Sequence, residues 1–119
     1  MYTITKQFSF SASHVLENLP EGHPCARLHG HNYVVELVLE GLELDESGFV
    51  RDYRDLASFK TFIDEKLDHR HLNDIMDGPT SAENLARFLY EFAHGLWPEV
   101  TAVRVSETPK TWAEYRPSS

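Results

Sequence analysis

Three histidines and one cysteine carry the chemistry most visible in this chain. His29 and His31 flank Gly30, Cys25 stands four residues ahead of His29, and His14 ends an upstream segment in which Ile4, Phe8, Phe10 and Ala12 recur at alternate positions. Side chains alternate along a β-strand, so imidazoles at i and i+2 project from one face. An antiparallel neighbour ending at His14 brings a third imidazole to that face. Three neutral ring nitrogens suit Zn²⁺ and leave its fourth position open, the arrangement of a catalytic rather than a structural zinc. Cys25 has three readings at this level: a small buried hydrophobe, a thiolate favoured by the nearby cation Arg27, or a fourth ligand that closes the site.

Two further places carry chemistry. Leu67-Asp68-His69 sets a carboxylate beside an imidazole, which can serve as an acid/base pair or simply end a helix. Glu107 shares the parity of Val103 and Val105, so a carboxylate is expected on an inward face, where an ionised group needs a partner. It either reaches water or an arginine at the strand end, or it accepts paired N–H donors from a flat heterocycle such as a pterin. His23, among Pro20, Glu21, Gly22 and Pro24, reads as a loop residue, and His94 lies near a helix end that favours a cation. Neither is a ligand candidate.

The elements that must position these groups follow from the periodicity. Alternation over 2–12 and, more cleanly, over 31–41 predicts two strands, with Tyr33, Val35, Leu37 and Leu39 on the face of His29 and His31. Leu56, Phe59, Phe62, Ile63 and Leu67 form the stripe of a first helix. Thr80-Ser81-Ala82-Glu83 reads as a capping box for a second helix with Leu85, Phe88, Leu89, Phe92 and Leu96 buried. Strands over 100–108 and 112–116 complete the order ββααββ, a four-stranded, mostly antiparallel sheet backed by two helices in an α+β arrangement. Such a sheet has two open edges. Assembly with other copies is the expected answer, and a monomer with short charged edges is the alternative.

Composition bounds the function. The chain has 119 residues, 41% of them hydrophobic, and is expected to form one domain over 1–119. A net charge of −8 argues against binding a nucleic-acid backbone. The first residues lack the apolar core of a signal peptide, and no run approaches the roughly 20 apolar residues of a membrane span, so a cytoplasmic location is expected. A single cysteine forms no internal disulfide.

Five blocks occur together and in order: Phe10-Ser11-Ala12-Ser13-His14, Cys25-Ala26-Arg27-Leu28-His29-Gly30-His31-Asn32, Leu67-Asp68-His69, Pro79-Thr80-Ser81-Ala82-Glu83-Asn84 and Ser106-Glu107-Thr108. They resemble the 6-pyruvoyltetrahydropterin synthase and 6-carboxytetrahydropterin synthase family across nearly the whole chain. The three residues between Cys25 and His29 look like the carboxy-forming branch. The resemblance implies a tunnelling fold, in which three subunits join their sheets into a barrel and two trimers stack as a hexamer. It implies Zn²⁺ on His14, His29 and His31, a catalytic Cys25 assisted by Asp68 and His69 across a subunit boundary, and Glu107 anchoring a pterin. Arg27 and Lys110 are the candidate cations for a triphosphate. The implied substrate is 7,8-dihydroneopterin triphosphate, converted to 6-carboxytetrahydropterin, acetaldehyde and triphosphate on the way to queuosine. The conversion is internally redox-balanced, so no nicotinamide or flavin is expected, and the chain has no Gly-rich dinucleotide fingerprint. A pyruvoyl-forming enzyme and a non-catalytic zinc- or pterin-binding module remain open as alternatives.

Overall fold

In β1 (Tyr2–His14) every second side chain from Phe8 onward is buried, and in β2 (His29–Gly41) Tyr33, Val35, Leu37 and Leu39 are fully buried. Period-two burial over such lengths leaves a strand as the only conformation that satisfies both faces. The computed structural model describes residues 1–118. Its remaining elements are α1 (Ala57–Lys66), β3 (Arg70–His71), α2 (Ala82–Leu96), β4 (Val100–Thr108) and β5 (Thr111–Tyr115). β1 and β2 pair antiparallel along their full length, from Tyr2 opposite Gly41 to His14 opposite His29.

The sheet has five strands in the order β3-β1-β2-β4-β5, one more than expected. The addition is the two-residue β3, which runs parallel to β1 with Arg70 and His71 beside Ala12 and Ser13. It escapes pattern reading because two residues carry no alternation. The other pairings are antiparallel, with irregular register between Val38 and Leu39 and between Val105 and Thr108. β1 and β2 also reach two residues further towards the histidines than the periodicity predicts, since polar Ser13 and Gly30 interrupt the apolar pattern but not the pairing.

One face of the sheet packs against the helices. Phe59 meets Phe8 edge-on at 4.9 Å, Phe62 stacks on Phe92 at 3.8 Å, and Leu85, Ala86, Leu89 and Ala93 of α2 are buried in the same core. The opposite face carries polar rows: Glu36 accepts from Gln7 and Arg104, and Glu40 accepts from Thr101 and Arg116.

Helix ends differ in detail from expectation. Ser81 is the N-cap of α2, but the partner is Asn84: its backbone N–H donates to Ser81 Oγ at 3.2 Å and its side chain to the Pro79 carbonyl at 2.9 Å. Glu83 occupies the first turn, where its charge complements the helix dipole. Leu96 is exposed rather than buried, and Trp97 takes the core position, because the chain leaves the helix there with extended dihedrals. Among the described residues, no helix is long and apolar enough to cross a membrane.

Candidate metal centre

The pairing of β1 with β2 brings His14 directly opposite His29, and His31 follows two residues along on the same inward face. One ring nitrogen from each lies within 4.8 Å of the other two. His14 is fully buried, and burial, as the largest influence, pushes its imidazole pKa down against the opposing effect of the Thr80 hydrogen bond.

The hydrogen bonds on the far side of two rings define their tautomers. His14 Nδ1 lies 2.8 Å from the Thr80 carbonyl, and His29 Nδ1 lies 2.7 Å from the Arg27 carbonyl. A carbonyl oxygen only accepts, so in both rings Nδ1 carries the proton and the neutral ring presents its lone pair at Nε2. The two Nε2 atoms face each other at 2.9 Å. Two lone pairs at that separation repel unless a cation or a proton lies between them. His31 Nε2 is buried and has no hydrogen-bond partner among the described residues. Three convergent nitrogens, two with lone pairs oriented by carbonyls and one orphaned, are the donor set a borderline metal such as Zn²⁺ takes.

Glu107 stands beside this set. Its Oε2 lies 3.0 Å from His31 Nε2, out of line for a hydrogen bond, and 3.9 Å from His14 Nε2. The carboxylate therefore meets imidazoles rather than an arginine, while its side chain stays partly exposed. Tyr33 lies directly below, its ring 5.5 Å from that of His31 and stacked on Phe10 at 4.9 Å. Its buried hydroxyl has no partner, and burial, with the charge of Glu107 second, pushes its phenol above the usual tyrosine range.

Asp68 and His69 form a second group at the sheet edge. Asp68 Oδ1 accepts the Ser11 N–H at 2.9 Å and Oδ2 lies 3.0 Å from His69 Nδ1. The Ser11 amide first, and then His69, hold the Asp68 carboxyl below the usual carboxylate range. His69 adopts a left-handed backbone, φ 59°, and its side chain is exposed. It borders an open depression of about 620 Å³ together with Ser11, Ser13, Asn32, Arg70 and His71.

Cys25 is half-buried on a short 3-10 turn, Pro24–Ala26, capped by the His23 side chain. Its thiol is not among the ligand atoms that converge with the three imidazoles. Among the described residues no hydrogen bond joins that thiol to Asp68 or His69. Arg27 contributes its carbonyl to His29, while its exposed guanidinium, like the Lys110 ammonium, forms no ion pair among the described residues. Pattern reading passed over Thr80, Asn73 and Tyr33. Thr80 stands next to a helix cap and was legible only as such, Asn73 gave no local signal, and Tyr33 looked like ordinary core.

Residues 3–118 match a family model described as 6-pyruvoyl tetrahydropterin synthase. The chain is 32% identical to the 6-carboxy-5,6,7,8-tetrahydropterin synthase of Bacillus subtilis, over 98% of this chain and 86% of the other. A shorter match, 40% identical over 70% of this chain and 67% of the other, is to the dihydroneopterin monophosphate aldolase of Pyrococcus furiosus. Among solved structures, 6-pyruvoyl tetrahydropterin synthase of Caenorhabditis elegans superposes with a TM-score of 0.86 at 29% identity, covering 98% of this chain and 96% of that one.

Proposed function

The chain belongs to the 6-pyruvoyl tetrahydropterin synthase family, and from that premise we propose that it is a zinc-dependent lyase acting on 7,8-dihydroneopterin triphosphate. The products are 6-carboxytetrahydropterin, acetaldehyde and triphosphate, with one water consumed, and the carboxypterin feeds 7-deazaguanine compounds such as queuosine. The observation that carries this reading is the convergence of three imidazole nitrogens, two of them with lone pairs oriented by carbonyl partners.

His14, His29 and His31 are the residues that would hold zinc, which when bound supplies Lewis acidity toward the hydroxyls of the substrate side chain. Glu107 accepts N–H donors of the pterin ring and so orients the side chain toward the histidines. Cys25, as thiolate, removes a proton from a side-chain carbon, and His69, oriented by Asp68, exchanges protons on the opposite side. Loss of triphosphate accompanies the first tautomerisation. Cleavage of the remaining side chain then releases its two terminal carbons as acetaldehyde. Arg27 and Lys110 are free to meet the triphosphate.

Among the described residues no hydrogen bond joins Cys25 to the Asp68–His69 pair, and β3 and β5 are open edges. Both features support a site completed by a second copy in a trimer or hexamer. The relatedness to an aldolase favours a second reading, in which the chain cleaves the side chain of dihydroneopterin monophosphate by retro-aldol chemistry.

The test is incubation of the zinc-loaded protein with each of the two substrates, with all products followed by mass spectrometry. Formation of 6-carboxytetrahydropterin with acetaldehyde, lost in Cys25→Ala while zinc is retained, is the expected outcome. A pyruvoyl product transfers the chain to the sister activity, and a two-carbon aldehyde phosphate from the monophosphate establishes the aldolase. Tight pterin binding with no turnover leaves a binding module, and loss of zinc in Cys25→Ala indicates a four-ligand site.

A further inference from the structure

The strip 68–73 is attached to the end of β1 by a row of bonds. The Ser11 N–H donates to Asp68 Oδ1 at 2.9 Å, and the His69 N–H donates to the Ser11 carbonyl at 2.6 Å. Arg70 and His71 pair with Ala12 and Ser13, and Ser13 Oγ lies 3.0 Å from His71 Nδ1. The row then closes on a side chain. Asn73 Oδ1 accepts the Val15 N–H at 2.9 Å, and Asn73 Nδ2 donates to the Val15 carbonyl at 2.9 Å.

This amide replaces a strand neighbour just where backbone pairing has ended. It satisfies both polar groups of the residue that follows His14, the last residue of β1. The Val15 carbonyl also receives the Thr80 hydroxyl at 3.4 Å, and the Thr80 carbonyl holds His14 Nδ1. Asn73, Val15, Thr80 and His14 thus form one connected seam. Its other end is the Asp68–His69 pair.

We propose that Asn73 is a positioning residue that sets His14 relative both to the other two imidazoles and to the Asp68–His69 pair. The inference rests on the metal reading above and extends it to a residue whose side-chain hydrogen bonds, among the described residues, go to the Val15 backbone rather than to the imidazoles. A two-residue β3 adds little register on this side, so without the amide clamp the Val15 backbone loses both Asn73 bonds and the end of β1 keeps only its pairing with β2 and the Thr80 contact to restrain His14. A partner that orients a metal ligand is worth about 10- to 100-fold in metal affinity, which sets the scale of the effect.

The test uses Co²⁺ as a spectroscopic probe and chelator competition for zinc affinity, on the wild type and on Asn73→Asp and Asn73→Gln. Asn73→Asp keeps the acceptor for the Val15 N–H but turns a carboxylate oxygen toward the Val15 carbonyl. Asn73→Gln keeps the amide one methylene too far out and is the milder change should the first not fold. The expected result is a shifted visible spectrum, zinc affinity weaker by about tenfold or more, and kcat reduced with the KM for pterin within twofold, since Glu107 on β4 is untouched. Leu89→Ala, a core truncation in α2, must lose melting temperature without changing spectrum or affinity. Variants that are less stable but keep the wild-type spectrum and affinity overturn the inference alone. A wild-type chain that takes up no Co²⁺ overturns the metal reading and this inference with it.

Discussion

Substitution of Gly30 by alanine tests how closely the two strands must approach beneath the histidines. Gly30 has no positive φ, so its backbone accepts any residue and only space is at issue. A Cβ there would lie 3.2 Å from the Ala12 carbonyl oxygen, with the Ala12 carbonyl carbon and Ser13 Cα each at 3.9 Å. The obstacle is main chain, so relief comes only by moving β1 away from β2 by a few tenths of an ångström. That shift falls at the Ser13–Gly30 pair, next to the His14–His29 pair. Overpacking of this kind costs about 1–3 kcal/mol, while the stiffer unfolded chain returns about 0.4–1 kcal/mol, so the steric effect wins by about 1–2 kcal/mol. For a chain of this size that lowers the melting temperature by about 4–8 °C.

A zinc ion held by His14, His29 and His31 would feel the same displacement. Tetrahedral zinc with bonds of about 2.0–2.1 Å needs nitrogens about 3.3 Å apart, and a shift of tenths of an ångström approaches the tolerance of about 0.5 Å. Zinc affinity is expected to fall about tenfold. Gly95→Ala in α2 is the internal control: nothing lies within 4 Å of its added Cβ, and it should stabilise by about 0.5–1 kcal/mol. Thermal denaturation followed by circular dichroism, with chelator competition for zinc, measures both. If Gly30→Ala melts at or above the wild type and binds zinc equally well, the strands are not held at this approach and the reasoning fails.

Tyr33→Phe removes a buried hydroxyl that has no partner; stability should be unchanged or higher by up to about 1 kcal/mol in denaturant titration, and a loss larger than that would reveal a partner for the phenol. Glu107→Gln removes the anionic acceptor on β4 and should weaken pterin binding about ten- to hundredfold in a fluorescence titration. Zinc should stay bound, and loss of zinc instead would make Glu107 a ligand. Glu99 is clamped by Arg51, with Nε and the second guanidinium nitrogen at 2.5 and 3.0 Å, and Arg51 holds its carboxyl below the usual range. A depressed folded pKa contributes stability above the ordinary glutamate value of about 4.3 and loses it as pH falls through the folded value. The melting-temperature deficit of Glu99→Gln should therefore shrink between pH 7 and pH 3, and an equal deficit at both would refute the linkage.

Much of the fold was legible because strands and helices write their period into neighbouring residues. The apolar alternation of β2 placed His29 and His31 on the core face, and the stripes at Phe59–Ile63 and Leu85–Leu89 marked both helices. Glu107 was expected on an inward face by parity alone, and it faces the histidines. Local reading failed where a contact does not repeat. β3 is too short to show a pattern, Asn84 displaced Glu83 from the cap, and the bond from the Arg27 carbonyl to His29 has no sequence signature.

From residues close in sequence, the chain determined its strand and helix types, its inward faces and the pairing of two imidazoles across one glycine. Only the tertiary structure decided which nitrogen of His14 is free, because that depends on the carbonyl of Thr80, 66 positions away. The His29 ring takes its orientation from the Arg27 carbonyl two residues back, and Asn73 meets the Val15 backbone from 58 positions away. The reason is physical: backbone geometry repeats every two residues in a strand and every 3.6 in a helix, so neighbours disclose it. The orientation of the His14 ring is set instead by a single carbonyl that the chain returns from a distance, and such a contact leaves no periodic trace in its composition.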